Sequence, residues 1–384
     1  MKKMSAAIRV FLCLIFLCFS IFAQDFTPVS SGIEYAKLTR QMKSADGKSE
    51  NVVFNLLRLD LTKVRLDVVH AMDAAIGTET TSSIATRHGA IAAINAGFFR
   101  LDKSIFAGDA AGVLMIDGKL LSESNDDRIC LFIKNKPNAT EVAFERLKTF
   151  IGLGFRKKEL SGAANGINRQ RGEDDFVIYT PEFHRTTLTS DNGIEIVVKN
   201  KRIIKVYKGK GNSLIPSDGI VISLSGKYSN YVSAFKVGLE VMYFPEVRVE
   251  APDNKIFSYR DLNEDIVSGV PQLIKNGKID ITWEQEKTSK AFVETHHPRT
   301  AVARLKDGKF LMITVDGRSE QSGGISLPDL AAFLLELGAT DAMNLDGGGS
   351  TTMFLNGKIV NKPSDKEGER KVSDAILVFP RKRN

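Results

Sequence analysis

The chain has 384 residues, of which 43% are hydrophobic and 26% charged, with a formal net charge of +7. This is an ordinary globular balance, enough for one large domain or two smaller ones with a real core. A positive excess this small over so long a chain argues against a nucleic-acid partner, and no internal segment is long and apolar enough to span a bilayer.

Lys2, Lys3 and Arg9 precede an apolar run from Val10 to Phe22, with Ala23 just before Gln24. That order predicts a cleavable signal peptide over residues 1–23 and a secreted or periplasmic protein with no stable membrane anchor. Cys18 follows the bulky Leu17, which disfavours lipidation. Residues 1–23 hold three positive and no negative charges, so the net charge of the mature chain falls from +7 to +4. Cys130 is then alone, in the apolar stretch Arg128-Ile129-Cys130-Leu131-Phe132-Ile133, and reads as packing rather than as a nucleophile.

Strand patterns follow at Asn51 to Asp60 and Val64 to His70. Residues 24–89 form a β-rich N-terminal segment that either joins a larger sheet or makes a small domain of its own. Asp117-Gly118, Asp307-Gly308 and Asn356-Gly357 are hairpin signals of the type I′ kind. Residues 134–211 are more polar and read as an insertion in a domain spanning 90–379. Within it, Ser161 to Gly172 is a Gly/Asn/Arg-rich stretch that looks like an exposed loop, and Asn138-Ala139-Thr140 is a glycosylation sequon.

A helix is predicted from Leu327 to Leu337. Ser326 and Asp329 fit a capping box, Pro328 lies in the first turn, and Gly338 supplies the stop. It connects two strands, Phe310 to Val315 and Ala339 to Leu345, each running into Asp-Gly, at Asp316-Gly317 and Asp346-Gly347. If those strands lie side by side, two carboxylates reach one sheet edge. Frequent strands and few helices make the expected fold class α+β, with a mixed, largely antiparallel sheet and a few packed helices.

The densest site signal is Asn344-Leu345-Asp346-Gly347-Gly348-Gly349-Ser350-Thr351-Thr352. Three glycines free the backbone to approach a ligand, the hydroxyls add polar groups, and a carboxylate stands beside them. Arg299, at a strand entrance and followed by Thr300, offers a planar fork for phosphate or carboxylate. The adjacent His296 and His297 diverge and make a poor chelate. Asn95, at the end of another apolar run, and Arg318 with Gly324, in the loop before the helix, complete the constellation. Phe98 and Phe99, just after Asn95, read as core sooner than as a sugar platform.

Ile94 to Phe99, His297 to Val302, Asp316-Gly317-Arg318 with Gly324 to Leu327, Asn344 to Thr352, and Lys362 to Ser373 with Arg370 occur in an order similar to the phosphodiester glycosidase family. The resemblance covers about Ala90 to Phe379 and implies removal of a sugar from a glycosyl-1-phosphodiester, such as those of surface or exopolysaccharides, without a required cofactor. It implies Asp346 and Asp316 as the catalytic carboxylates. Arg299, Thr300, Arg318, Asn95, Asn344, Gly347, Gly348, Gly349, Ser350, Thr351, Gly324 and Arg370 are then substrate or phosphate ligands. The residues leave two other readings open. One is a metal-dependent phosphodiesterase that cuts P–O, with Asp316, Asn344 and Asp346 as ligands for Ca²⁺ or Mg²⁺. The other is an envelope module that binds anionic glycans without turning them over.

Overall fold

The computed structural model describes residues 25–43, 47–125, 127–155, 158–250, 256–259 and 264–381. The predicted signal peptide and its two cysteines lie outside them. Among the described residues, no helix is long and apolar enough to cross a membrane.

Sheet dominates, and nearly every pairing is antiparallel; Gly166–Ile167 beside Phe176–Tyr179 is parallel. The expected α+β class therefore holds only loosely, since the helices are few and short. The central sheet has eight strands in the order Thr27–Ser30, Ile33–Lys43, Ser49–Leu59, Phe310–Val315, Arg299–Leu305, Ala339–Asn344, Gln272–Lys275, Lys278–Ile279. A five-stranded sheet covers one face, ordered Lys358–Ile359, Met353–Leu355, Ala92–Asn95, Asp374–Pro380, Val64–His70. Between the two lies a core of fully buried apolar side chains, including Leu57, Leu66, Ile94, Val302, Met312, Met343, Met353 and Ile376. The N-terminal segment thus adds strands to both sheets.

The helix Leu327–Glu336 packs on the opposite face of the central sheet, burying Leu327, Leu330, Ala331 and Leu334 against Phe54, Ala301 and Ile313. Its capping box forms as expected. The Asp329 N–H donates to Ser326 Oγ at 3.2 Å, and that hydroxyl donates to Asp329 Oδ2 at 2.6 Å. Gly338, at φ 88°, ends the helix in the left-handed region.

Asp117-Gly118 and Asn356-Gly357 have both residues at positive φ, as type I′ turns require. Asp307-Gly308 differs: only Gly308 is left-handed, and Leu305 N–H donates to Lys309 O across a longer turn. A further I′ turn at Asn276-Gly277 joins Gln272–Lys275 to Lys278–Ile279.

The expectation that Phe310–Val315 and Ala339–Asn344 lie side by side is corrected. Arg299–Leu305 runs between them and pairs antiparallel with each. The two strands still run in the same direction and end at the same edge, but one strand apart, with axes separated by about 10 Å.

The polar middle of the chain builds a second layer. Thr140–Phe155 pairs with Ile129–Asn135 and Val241–Glu250, and a five-stranded sheet stacks on this layer in the order Gly166–Ile167, Phe176–Tyr179, Gly219–Ser225, Gly193–Lys199, Arg202–Lys208. Cys130 is buried in the core between them, and burial pushes its thiol up to about 12, so it stays protonated as packing.

Candidate active site

Asp316 and Asp346 leave the central sheet on either side of Arg299. The register pairs Arg299 with Val315 and Ala301 with Asn344, which places Asp316 one residue and Asp346 two residues beyond the ladder. Their surroundings differ sharply.

Asp346 lies at the mouth of the three-glycine turn. Its own N–H donates to Ala96 O at 2.9 Å, and its Oδ1 accepts the Gly347 N–H at 3.0 Å. Part of the residue remains accessible, but protein atoms crowd the carboxyl. That burial pushes it up to about 6, opposed by the Ser350 hydroxyl, the Gly347 N–H and the Arg370 guanidinium, and assisted by the charge of Asp374. The Ser350 hydroxyl lies beside this carboxyl but completes no hydrogen bond of normal geometry, and the Thr351 and Thr352 hydroxyls are also buried without a partner. Three orphaned hydroxyls in succession are costly in an ordinary core.

Asp316 is buried and committed to structure. Its Oδ1 accepts the Lys362 N–H at 3.1 Å and lies 3.4 Å from Asn55 Nδ2, which ties the 361–362 loop to the sheet. Burial raises this carboxyl as well, with Lys362 pulling the other way. The carboxylate whose charge reaches Asp346 is Asp374, not Asp316.

Asp374 starts the strand Asp374–Pro380 and is almost fully buried. Its Oδ1 accepts the Gly97 N–H at 2.6 Å, its Oδ2 accepts the Ser373 hydroxyl at 2.5 Å, and His70 lies opposite it in the ladder. Burial raises it, and the charge of His70 opposes that. Asp374 and His70 are absent from the sequence-based site. The signal was a carboxylate set inside an apolar strand, Val372-Ser373-Asp374-Ala375-Ile376.

Arg299 is corrected in position. It is buried on the helix side of the sheet rather than open at a strand entrance. Its Nη2 donates to Phe292 O and Thr295 O, both at 2.7 Å, and its Nε to Ile325 O at 3.2 Å. Burial, together with the charge of Arg318, lowers it to about 10. Asn95, Thr300 and Asn344 are likewise buried instead of lining an open site. Asn95 Oδ1 accepts from the Thr300 hydroxyl at 2.8 Å and the Thr352 N–H at 3.1 Å, while its Nδ2 donates to Asp346 O at 2.6 Å. Asn344 Nδ2 donates to Val270 O and Leu345 O, leaving its Oδ1 without a partner.

Two other arginines flank the glycine turn. Arg318 is exposed, sits at φ 56° and reaches His297 Nδ1 at 3.4 Å; a Cβ on Gly348 would lie 3.1 Å from its Nη2. Burial, with Arg299 and Arg318 nearby, lowers His297, so its ring is neutral at pH 7. Arg370 is clamped by Asp365, through Nε to Oδ2 at 2.7 Å and Nη2 to Oδ1 at 3.0 Å. A Cβ on Gly349 would fall 2.1 Å from Arg370 Nη2 and 2.3 Å from Asp365 Oδ1. Gly347 has a comparable constraint against Pro298 O, and Gly324, at φ 94°, against the His297 backbone. These glycines allow close chain approach. Gly349→Ala should therefore cost about 1–3 kcal/mol of stability, read by denaturant unfolding, because the clamped ion pair has to move.

Asp316, Asn344 and Asp346 belong to three separate hydrogen-bond sets. Among the described residues, no group of three or more His, Cys, Asp or Glu side chains is placed to hold a metal ion. His296 turns away from His297, toward Asp329 at 3.8 Å.

Residues 192–379 match the family described as phosphodiester glycosidase. Mouse N-acetylglucosamine-1-phosphodiester alpha-N-acetylglucosaminidase is 32% identical over 181 residues, covering 44% of this chain and 33% of the mouse protein. The human protein of the same name is 41% identical over 181 residues, with the same coverage of 44% and 33%. The matched region thus spans about a third of the length of these relatives. A crystal structure of a hypothetical protein from Synechocystis superposes with a TM-score of 0.76 at 24% identity, covering 93% of this chain and 63% of that one, which speaks to the fold alone.

Proposed function

We propose, from the premise that residues 192–379 belong to the phosphodiester glycosidase family, that this chain hydrolyses a glycosyl-1-phosphodiester by breaking the bond between the anomeric carbon and oxygen. The observation that carries this reading is the crowded Asp346 carboxyl beside a three-glycine turn flanked by the Arg318 and Arg370 guanidiniums.

The chemistry follows from the leaving group. A phosphomonoester departs as a stabilised anion, so the site needs cations for the phosphate more than a strong general acid. Arg318, exposed and among the described residues hydrogen-bonded to His297, is the group that takes the phosphate, and Arg370, held by the Asp365 carboxylate, adds a second guanidinium at the turn. Asp346 faces the anomeric carbon, stabilising positive charge there or accepting a proton from the attacking water. The water oxygen bonds to the anomeric carbon, the C–O electron pair leaves with the phosphate, and the released proton passes to Asp346 or to solvent. Asp374 lies behind Asp346 and helps hold its carboxyl up, while Asn95, Thr300 and Arg299 position the strand ends. Asp316 ties the Lys362 loop to the sheet. No step is assigned to a divalent cation, because Asp316, Asn344 and Asp346 do not converge.

N-acetylglucosamine is the first sugar to test, since the mouse and human relatives are named for it. An exported protein acting on surface glycans fits the predicted leader. Arg318→Ala should raise KM for a sugar-1-phosphodiester by about 10- to 100-fold with little change in melting temperature. Hydrolysis in ¹⁸O-water should place label in the sugar; label in the phosphate means P–O cleavage and overturns the assignment.

A further inference from the structure

The arginine-rich stretch that the sequence presents as an exposed loop folds back as a wall. Arg169 is fixed by Asp175, with Nη1 to Oδ2 at 2.5 Å and Nη2 to Oδ1 at 3.0 Å, and by Glu123, with Nε to Oε1 at 2.6 Å. Arg171 donates to the Ser223 hydroxyl at 2.7 Å, Ser190 O at 3.0 Å and Asn192 Oδ1 at 2.5 Å. Facing them, Arg100 donates to Gln170 Oε1 at 2.6 Å and to Asp102 at 2.5 Å. The cleft so formed has a volume of about 480 Å³ and is also lined by Asp109 and Glu173.

We propose that this cleft is a subsite for an acidic oligosaccharide, occupied by the part of the substrate beyond the scissile phosphate. The inference rests on the hydrolase reading above. Arg171, which pairs with no carboxylate among the described residues, is held in a fixed plane that matches a carboxylate- or phosphate-bearing sugar, and Arg100 offers its Nη2 beside it; little side-chain entropy remains to be lost on binding. The amides of Gln170 and Asn192 serve sugar hydroxyls. The Asp109 carboxyl makes no hydrogen bond among the described residues, and burial with the nearby Glu123 pushes it up to about 7, so near neutrality it has a proton to offer an anionic partner. The same loop exposes Leu101 and Ile105, at 61% and 64%, as an apolar lip suited to the C–H faces of sugar rings. The volume exceeds what one phosphate needs and is typical of a small-molecule site.

Position supports the link to Asp346. Gly97 N–H is bonded to Asp374, and three residues later Arg100 N–H donates to Asp109 O at 2.8 Å. Three residues of chain reach no further than about 11 Å, which keeps the Arg100 end of the cleft close to the strand end that carries Gly97.

The test compares three N-acetylglucosamine-1-phosphodiesters, with methanol, a neutral tetrasaccharide or a uronic-acid tetrasaccharide as the esterified alcohol. Wild type should show kcat/KM at least about tenfold higher on the uronic-acid compound than on either other. Arg100→Ala and the isosteric Asp109→Asn should remove that preference while leaving the methyl ester within about twofold. An unchanged preference in both folded variants, or none in wild type, overturns the subsite. If wild type cleaves none of the three, the hydrolase reading fails. Calorimetry with the free uronic-acid tetrasaccharide then decides the subsite by itself: affinity weakened about tenfold in Arg100→Ala supports it, and no binding to wild type overturns it.

Discussion

Asp346→Asn should lower release of sugar from a glycosyl-1-phosphodiester by about 10³-fold or more, with KM little changed. Asn keeps the shape of Asp and an Oδ1 that accepts the Gly347 N–H, so the turn persists while the charge at the anomeric carbon is lost. In wild type, the carboxyl acts ionised and is raised from an ordinary 3.8 to about 6, so kcat/KM should fall as pH drops through about 6. Stability should move the opposite way. The fold binds this proton more tightly than the unfolded chain does, so the contribution of Asp346 to stability is fully present below 3.8 and is lost as pH rises through about 6. The Asn variant should accordingly match or exceed wild type in melting temperature at pH 7 while being inactive. A variant that retains turnover, or whose activity loss follows unfolding, removes Asp346 from the chemistry.

Arg299→Met should act on stability. The substitution keeps most of the volume but removes the guanidinium donors from the part-buried carbonyls of Phe292 and Thr295, while Ile325 O keeps the His297 N–H. Each buried acceptor left unsatisfied costs about 1–3 kcal/mol, so with two part-buried acceptors a loss on the order of 2–4 kcal/mol is expected in urea unfolding. Those carbonyls belong to the short helix Lys290–Glu294, its cap and the segment entering the long helix, so the His297 and Arg318 side of the site should loosen as well. The contrast with Arg318→Ala is diagnostic. Loss of stability at Arg299 and loss of substrate affinity at Arg318 separates the positioning arginine from the phosphate arginine; the reverse result exchanges their roles.

The difference between these arginines was hidden in the sequence. Both follow strand-and-turn signals, and a guanidinium near Pro-Arg-Thr carries no mark of which sheet face it takes. Register decides it: Arg299 shares a face with Ala301 and Ala303, which pack under the helix. What was legible depended on local rules, namely the capping box at Ser326, two type I′ turns and the Asp-Gly strand ends. What was not legible depended on strands distant in sequence. The insertion of Arg299–Leu305 between the two Asp-Gly strands separates Asp316 from Asp346, and the pairing of Asp374–Pro380 with both Val64–His70 and Ala92–Asn95 brings Asp374 to the site. The Arg169–Gly172 stretch looked like loop because polar composition is shared by solvated turns and by ion-paired walls.

That last pairing also governs the order in which the protein is completed. Val64–His70 and Ala92–Asn95 are made early in synthesis, yet both wait for Asp374–Pro380, about three hundred residues later, to fill the gap between them. Until then each presents open backbone on the edge that strand will occupy, and Gly97 lacks the Asp374 acceptor for its N–H. Contacts this distant are slow to close. The part of the proposed site built on Gly97 and Asp374 therefore forms only once Asp374–Pro380 is in place.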